Sequence, residues 1–350
     1  MDRCVKCIVP ADFPGADLNE AGICKGCRDY VASKILGEEE LLKSIEKIKG
    51  KHPFDCVIPI SGGKDSMYIL YYAVKKLGLK VIAVNYDSGY QSDVAIQNML
   101  RATSLLNVPF IVNKKLHKLH HEIAKTMMDI SQILGSFHRI CGNCGVLLRS
   151  VAINTAKQFD APIVLYGESK EESTSSTTRK YLGIKKFIKD LNGKNLIKII
   201  PKFTKFILLS IYERIVMKVP FPYCLNPASL MCVPKKNPTF LYFFDYMEYN
   251  YKQQLCAIEN HLDWRHPDNS NSRFDCALAC FKNHHAYNVC HITLKGLACC
   301  NLIRKGDMTR EEALETENLE QKTLIKDCRD TTEKYFGGCS KKIIKGMFES

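Results

Sequence analysis
The chain has no run of about 18 apolar residues free of charge, so no membrane-spanning helix is expected. Its opening residues, MDRCVKC, carry no apolar signal segment, and the expected location is the cytoplasm. No internal repeat and no low-complexity tract is visible. The GxxxxGK[ST] pattern of the common nucleotide P-loop is missing. So is a nucleophile elbow followed by a His/Glu pair, which leaves no glutaminase within the chain. Acids are scarce in one place. Residues 179–218 hold two acids against eleven Lys/Arg, and with them nine of the thirteen excess positive charges. That stretch is either a patch for an anionic partner or the solvated face of amphipathic helices.

What is present points to a globular protein. At roughly 100–200 residues per domain, 350 residues suggest two domains with a small appendage. Hydrophobic residues make up 46% and charged residues 25%, enough for a sizeable core. The seventeen cysteines include CxxC pairs in a long chain. That reads as metal ligands and small core residues in a reducing compartment, not as a disulfide framework. The expected division is a Cys4 zinc module over 1–30, an ATP-binding domain over 31–180, and a mostly helical region over 181–350 that meets substrate or partner.

Cys4-x-x-Cys7 and Cys24-x-x-Cys27 are two knuckles in a short stretch poor in apolar residues. They form the expected ligand set of a tetrahedral zinc site, which would supply the folding energy that a core cannot. The stretch that organises the rest is Phe54 to Ser66, FDCVIPISGGKDS. An apolar run ends at Ser61-Gly62-Gly63-Lys64-Asp65-Ser66, and Met67, Leu70, Tyr71 and Val74 follow at helical spacing. Strand, glycine turn and helix N-terminus together make a phosphate cradle of backbone amides. Lys64 adds a mobile charge, and Ser61 and Ser66 add hydroxyls.

Strands over Cys56–Ile60, Val81–Val84, Phe110–Val112 and Ile163–Leu165 alternate with helices over 92–106 and 116–134 and around Arg149 and Asn154. This pattern predicts a parallel, doubly wound α/β sheet. Ligands of such sheets lie beyond the strand carboxyl ends. That places Ile60 to Ser66 in one cleft with Asn85, Tyr86 and Asp87 and with Gly167 and Glu168. His117, His120 and His121 read as a solvated basic helix. Cys141 and Cys144 sit at a loop-to-helix junction, where a thiol can ligate metal, react or simply pack. Residues 238–350 read as mostly helical, with Asp275 to Cys280 inside one helix. Thr309 and Glu312 form a capping box, and Cys276, Cys280, Cys290, Cys299 and Cys300 are expected in the core.

SGGKDS resembles the PP-loop of the ATP pyrophosphatases, whose sheet belongs to the adenine nucleotide alpha hydrolase-like (HUP) type. Within that superfamily the chain resembles the N-acetyl sugar amidotransferases of lipopolysaccharide and other surface-polysaccharide synthesis. The likeness rests on the two knuckles with Gly22 to Tyr30, on FDCVIPISGGKDS, on Cys141-x-x-Cys144 with Tyr166-Gly167-Glu168, and on Gly306 to Ala313. It implies ATP and Mg²⁺ as cofactors beside the zinc, with Lys64, Asp65, Ser66, Cys141 and Cys144 at the chemistry. ATP would adenylate the amide oxygen of an anionic nucleotide sugar, and ammonia from a separate glutaminase subunit would displace AMP. A homodimer is compatible with this resemblance. The Cys141-Gly-Asn-Cys144 segment is also similar to the tRNA 2-thiolating enzymes. There Cys141, Cys144 and Cys224 or Cys232 would hold a [4Fe-4S] cluster, or Cys141 or Cys144 would carry a persulfide sulfur; the nucleophile would be sulfur, and the acceptor would be tRNA or a small amide.

Overall fold
The computed structural model describes residues 2–32, 34–134, 144–168, 191, 193–219, 238–266 and 275–337. Cys141, Cys224 and Cys232 lie outside the described residues, as do 179–190 of the basic stretch. Five strands form one wholly parallel sheet: β1 (Cys56–Pro59), β2 (Val81–Tyr86), β3 (Phe110–Asn113), β4 (Ile163–Tyr166) and β5 (Thr239–Tyr242). Their spatial order is β3-β2-β1-β4-β5. The order reverses direction between β1 and β4, and this switch point is where such sheets bind ligands. β1 and β2 are buried at every position, as strands covered on both faces must be.

The helices are α1 (Lys25–Arg28), α2 (Glu38–Glu46), α3 (Lys64–Tyr71), α4 (Asp93–Leu105), α5 (His117–Leu134) and α6 (Cys144–Gln158). After them come α7 (Gly193–Val216), α8 (Phe243–Tyr246), α9 (Tyr251–Leu262), α10 (Ala279–Cys290), α11 (Leu294–Lys305) and α12 (Arg310–Phe336). Strand alternation divides the core in two. Val57, Ile82, Val84 and Val164 meet Val146, Leu147 and Val151 of α6 on one face. Cys56, Ile58, Ala83 and Leu165 meet Met67, Leu70, Met99 and Ile258, from α3, α4 and α9, on the other. Such two-sided burial is the doubly wound arrangement expected from the sequence.

Two expectations need correction. β5 opens the stretch read as helical; it pairs with β4 from Ile163–Thr239 to Tyr166–Tyr242. Asp275 and Cys276 precede α10 and are not part of it, while Cys280 lies in its first turn. The capping box stands: the Thr309 hydroxyl accepts from the Glu312 amide, and the Glu312 carboxylate accepts from the Thr309 amide. The knuckles share a core with the far end of the chain. Cys4, Cys7, Cys24 and Cys27 pack with Cys290, Ile292, Leu297, Cys299, Cys300 and Ala313 of the α10–α12 region.

Candidate active site at the carboxyl edge of the sheet
Gly62 has φ +82°, which disfavours any side chain, and a Cβ there would lie 2.3 Å from the Ala95 carbonyl oxygen of α4. The turn is thus pressed against α4. It is also tied down from outside, because Trp264 Nε1 donates to the Gly62 carbonyl at 2.9 Å. The Ser66 hydroxyl donates to the Gly63 carbonyl at 2.9 Å and accepts from the Ser61 amide at 3.2 Å. The first turn of α3 opens at this loop, where N–H groups lack a preceding helical carbonyl. Gly62→Ala should cost at least about 2 kcal/mol of stability, from positive-φ strain and overpacking, and weaken ATP binding at least about tenfold. Thermal melting and calorimetric titration with ATP would check both parts.

Lys64 is held within the fold. Its side chain is only 10% exposed. The ammonium donates to Tyr249 Oη at 2.5 Å and to Gln254 Oε1 at 3.1 Å. It also pairs with Asp65 and lies over the rings of Tyr249 and Tyr251. In this arrangement Lys64 fastens the loop to α9. Within the loop, the Gly63 amide donates to Ser61 Oγ at 3.4 Å. Asp65, 25% exposed on its side chain, also accepts from Tyr249 Oη at 3.3 Å.

The other expected edge residues lie at the ends of their strands. Asn85 Nδ2 donates to the Ile60 carbonyl at 2.7 Å, while its buried Oδ1 has no hydrogen-bond partner among the described residues. That oxygen is an acceptor left without a donor at the end of β2. Asp87 accepts from the Gly89 amide at 2.8 Å and faces His117 at 3.2 Å. Gly167 packs on α3 so closely that a Cβ would stand 2.5 Å from Ile69 Cδ1. Glu168 pairs with Arg149 at 2.8 Å, and that guanidinium lies over the Tyr166 ring.

Cys144, at the start of α6, is met by His120 of α5, whose Nε2 lies 3.2 Å from Sγ. The other ring nitrogen of His120, Nδ1, is 2.8 Å from Glu213 Oε1 of α7. Glu213 is fully buried and also accepts from Tyr86 Oη at 3.1 Å, at the end of β2. The histidine expected in solvent is therefore 2% exposed. Burial pulls His120 down, but the charge and hydrogen bonds of Cys144 and Glu213 outweigh it and push it up to about 10. A thiol, an imidazole and a carboxylate in series are the parts of an activated nucleophile. Helical spacing could have found His120, because Ile123, Ala124 and Met127 follow it at i+3, i+4 and i+7 and are buried. Glu213 had a weaker signal as one of the two acids in the basic stretch.

The four cysteine sulfurs of the knuckles lie within 4.8 Å of one another, and Cys7 Sγ is 3.7 Å from Cys24 Sγ. A tetrahedron with Zn–S bonds of about 2.3 Å has S–S edges of about 3.8 Å, so the set fits a single ion. A cluster would spread its thiolates over several irons. Cys4 Sγ accepts from the Cys24 amide at 3.2 Å and the Cys7 amide at 3.4 Å. Hydrogen bonds from Cys27 and Cys7 hold the Cys24 thiol far below the usual thiol range. Arg304 of α11 supplies countercharge: Nε is 3.4 Å from Cys27 Sγ, and Nη2 is 3.8 Å from both Cys7 and Cys24. This residue carried no motif in the sequence.

No family model matches the chain. It is 34% identical over 74 residues to an uncharacterized protein, MJ1599, of Methanocaldococcus jannaschii; the match spans 21% of this chain and about a quarter, 26%, of that protein. Among solved structures it is similar to the U34-tRNA thiolase NcsA of Methanococcus maripaludis, determined with its [4Fe-4S] cluster. That likeness has 14% identity and a TM-score of 0.36, and covers 97% of this chain and 91% of the other.

Proposed function
We propose that this chain is an AMP-forming, ATP-dependent sulfurtransferase of the PP-loop type. It adenylates an amide-type carbonyl oxygen and replaces that oxygen with sulfur delivered by Cys144. The observation that carries this reading is the series Cys144–His120–Glu213, on the same carboxyl edge as Ser61–Ser66. Adenylation turns a poor leaving group into a good one, and pyrophosphate leaves against the loop amides and Mg²⁺. Cys144 takes sulfane sulfur from the persulfide of a cysteine desulfurase, which leaves as a thiol, and the terminal sulfur of the Cys144 persulfide then attacks the activated carbon as AMP departs. A second thiol cleaves the remaining S–S bond; Cys141 is the candidate, and an external dithiol reduces the resulting pair. The acceptor is a tRNA base or a small amide. The knuckles hold zinc, with a structural role, because four thiolates leave no open position for chemistry.

The nitrogen-transfer reading shares the activation step but takes ammonia from a separate glutaminase. It gives no task to a thiol backed by a buried imidazole and carboxylate, and nothing in the geometry favours a nucleotide sugar. A cluster ligand is the other competing role for Cys144. The test is to charge the protein with radioactive sulfur through a cysteine desulfurase and to follow label and nucleotide products. Label bound to wild type and missing from Cys144→Ala, with AMP and pyrophosphate as products, supports the proposal. ADP and phosphate as products, or full turnover of Cys144→Ala on ammonium, would refute it. Iron bound to wild type and lost with Cys144→Ala, without sulfur labelling, would make Cys144 a cluster ligand instead.

A further inference from the structure
The basic stretch continues into α7, and that helix has two apolar faces. The inner one packs on α5, with Ile199 buried and Phe203 and Phe206 half-buried. The outer one is bare. Ile197 is 80% exposed, and Ile200, Leu208, Tyr212 and Ile215 are each more than half exposed at helical spacing. Seven of the eighteen exposed large apolar side chains among the described residues sit on this one helix. Apolar residues scattered singly need no explanation, but a contiguous stripe marks a surface that something covers.

Charge narrows the choice of partner. Lys198 and Lys218 are exposed beside the stripe, while Lys202 and Lys205 of α7 are taken up by ion pairs to Asp129 and Glu122 of α5. Of the two acids in 179–218, Glu213 is buried against His120 and does not offset the basic surface. A second copy of this chain would bring two such basic stretches together, which like-charge repulsion opposes. RNA would use the lysines and leave the isoleucine and leucine stripe in water. An anionic bilayer surface uses both at once, with apolar side chains among the acyl chains and lysines at the headgroups. The 24 residues of α7, about 36 Å at 1.5 Å per residue, would lie along such a surface. Among the described residues no helix is long and apolar enough to cross it.

We propose that the outer face of α7 docks the protein on an anionic lipid surface. This inference does not depend on the sulfur chemistry. Its test is sedimentation of the full-length protein with vesicles of phosphatidylcholine alone or mixed with phosphatidylglycerol. Wild type should sediment with the anionic vesicles, bind pure phosphatidylcholine far less, and be released by salt. Ile197→Asp with Leu208→Asp should weaken binding at least about tenfold, since apolar insertion and attraction to anionic headgroups act together in such binding and the new carboxylates oppose both. Circular dichroism and pyrophosphate–ATP exchange on the same variant should match wild type, because neither side chain touches the ATP site. Lys198→Glu with Lys218→Glu, which leaves the stripe intact, should weaken binding and its salt dependence together. Folded wild type that ignores anionic vesicles would overturn the proposal. So would binding unaffected by either pair of substitutions. A dimer that dissociates when Ile197 and Leu208 are changed would assign the face to a second copy, and tRNA binding lost with those substitutions would assign it to nucleic acid.

Discussion

His120→Gln should slow transfer of sulfur to the acceptor by about 10²–10⁴-fold while leaving pyrophosphate–ATP exchange close to wild type, the range expected for loss of one general acid–base group. The two readouts separate because the ATP loop and the thiol belong to different elements. Ser61–Ser66 joins β1 to α3, whereas the thiol is set by α5, α6 and α7. Glutamine keeps approximate size and a donor but cannot take a proton from Cys144. With Glu213 on its far side, His120 is held up at about 10, which places a donor with positive charge beside the sulfur. Glu213→Gln should give a smaller loss in the same direction, because the imidazole stays oriented but loses the charge behind it. Tyr86→Phe removes one donor to Glu213 and should have the least effect of the three. Rates of alkylation by iodoacetamide, counted at Cys144 by mass spectrometry, give a readout free of turnover. If His120→Gln and wild type alkylate and transfer sulfur at the same rates, the series is packing and not chemistry.

The largest loss of stability should follow Cys24→Ser. Structural zinc contributes about 10–16 kcal/mol in isolated finger peptides, and one missing thiolate forfeits a large share of that. The damage should not stop at residues 1–30. Cys290, Cys299, Cys300, Leu297 and Ala313 bury their side chains against the knuckles, so α10–α12 should lose protection from hydrogen exchange together with the N-terminal module. The sheet should keep its own protection, since Ile58, Met67 and Leu165 belong to a different part of the core. Arg304→Gln is the milder variant. It keeps all four ligands, removes the countercharge, and should speed zinc release to a chelator by about 10–100-fold, the scale of outer-shell substitutions. Metal analysis and hydrogen exchange on the same preparations check both variants. An N-terminal module that melts alone, with α10–α12 unchanged, would contradict the shared core.

Much of the sheet was legible because its strands are short apolar runs cut off by glycine or polar residues. Cys56–Pro59 before Ser61-Gly62-Gly63 is the clearest of them. β5 was not, since Thr239–Tyr242 is four residues long and runs directly into α8, with no turn to mark its end. The knuckles and the glycine turn were legible because spacing alone constrains them. Contacts between distant segments were not. Nothing in the sequence says that Lys64 would be held by Tyr249 and Gln254, or that Trp264 would bond the Gly62 carbonyl. His120 was misjudged for a different reason. Two neighbouring histidines and Lys118 suggest water, yet the i+3 and i+4 partners of His120 are core residues.

The contact between Arg304 and Cys27 spans 277 residues of chain. During synthesis the knuckles leave the ribosome long before α11 exists. At about 5–20 residues per second the interval is about 14–55 s. Throughout it four thiols stand without the arginine and without the apolar wall that later encloses them. They can take up whatever soft cation is at hand, or oxidise, before their partners are made. Early metal capture would protect the nascent chain before its fold can close.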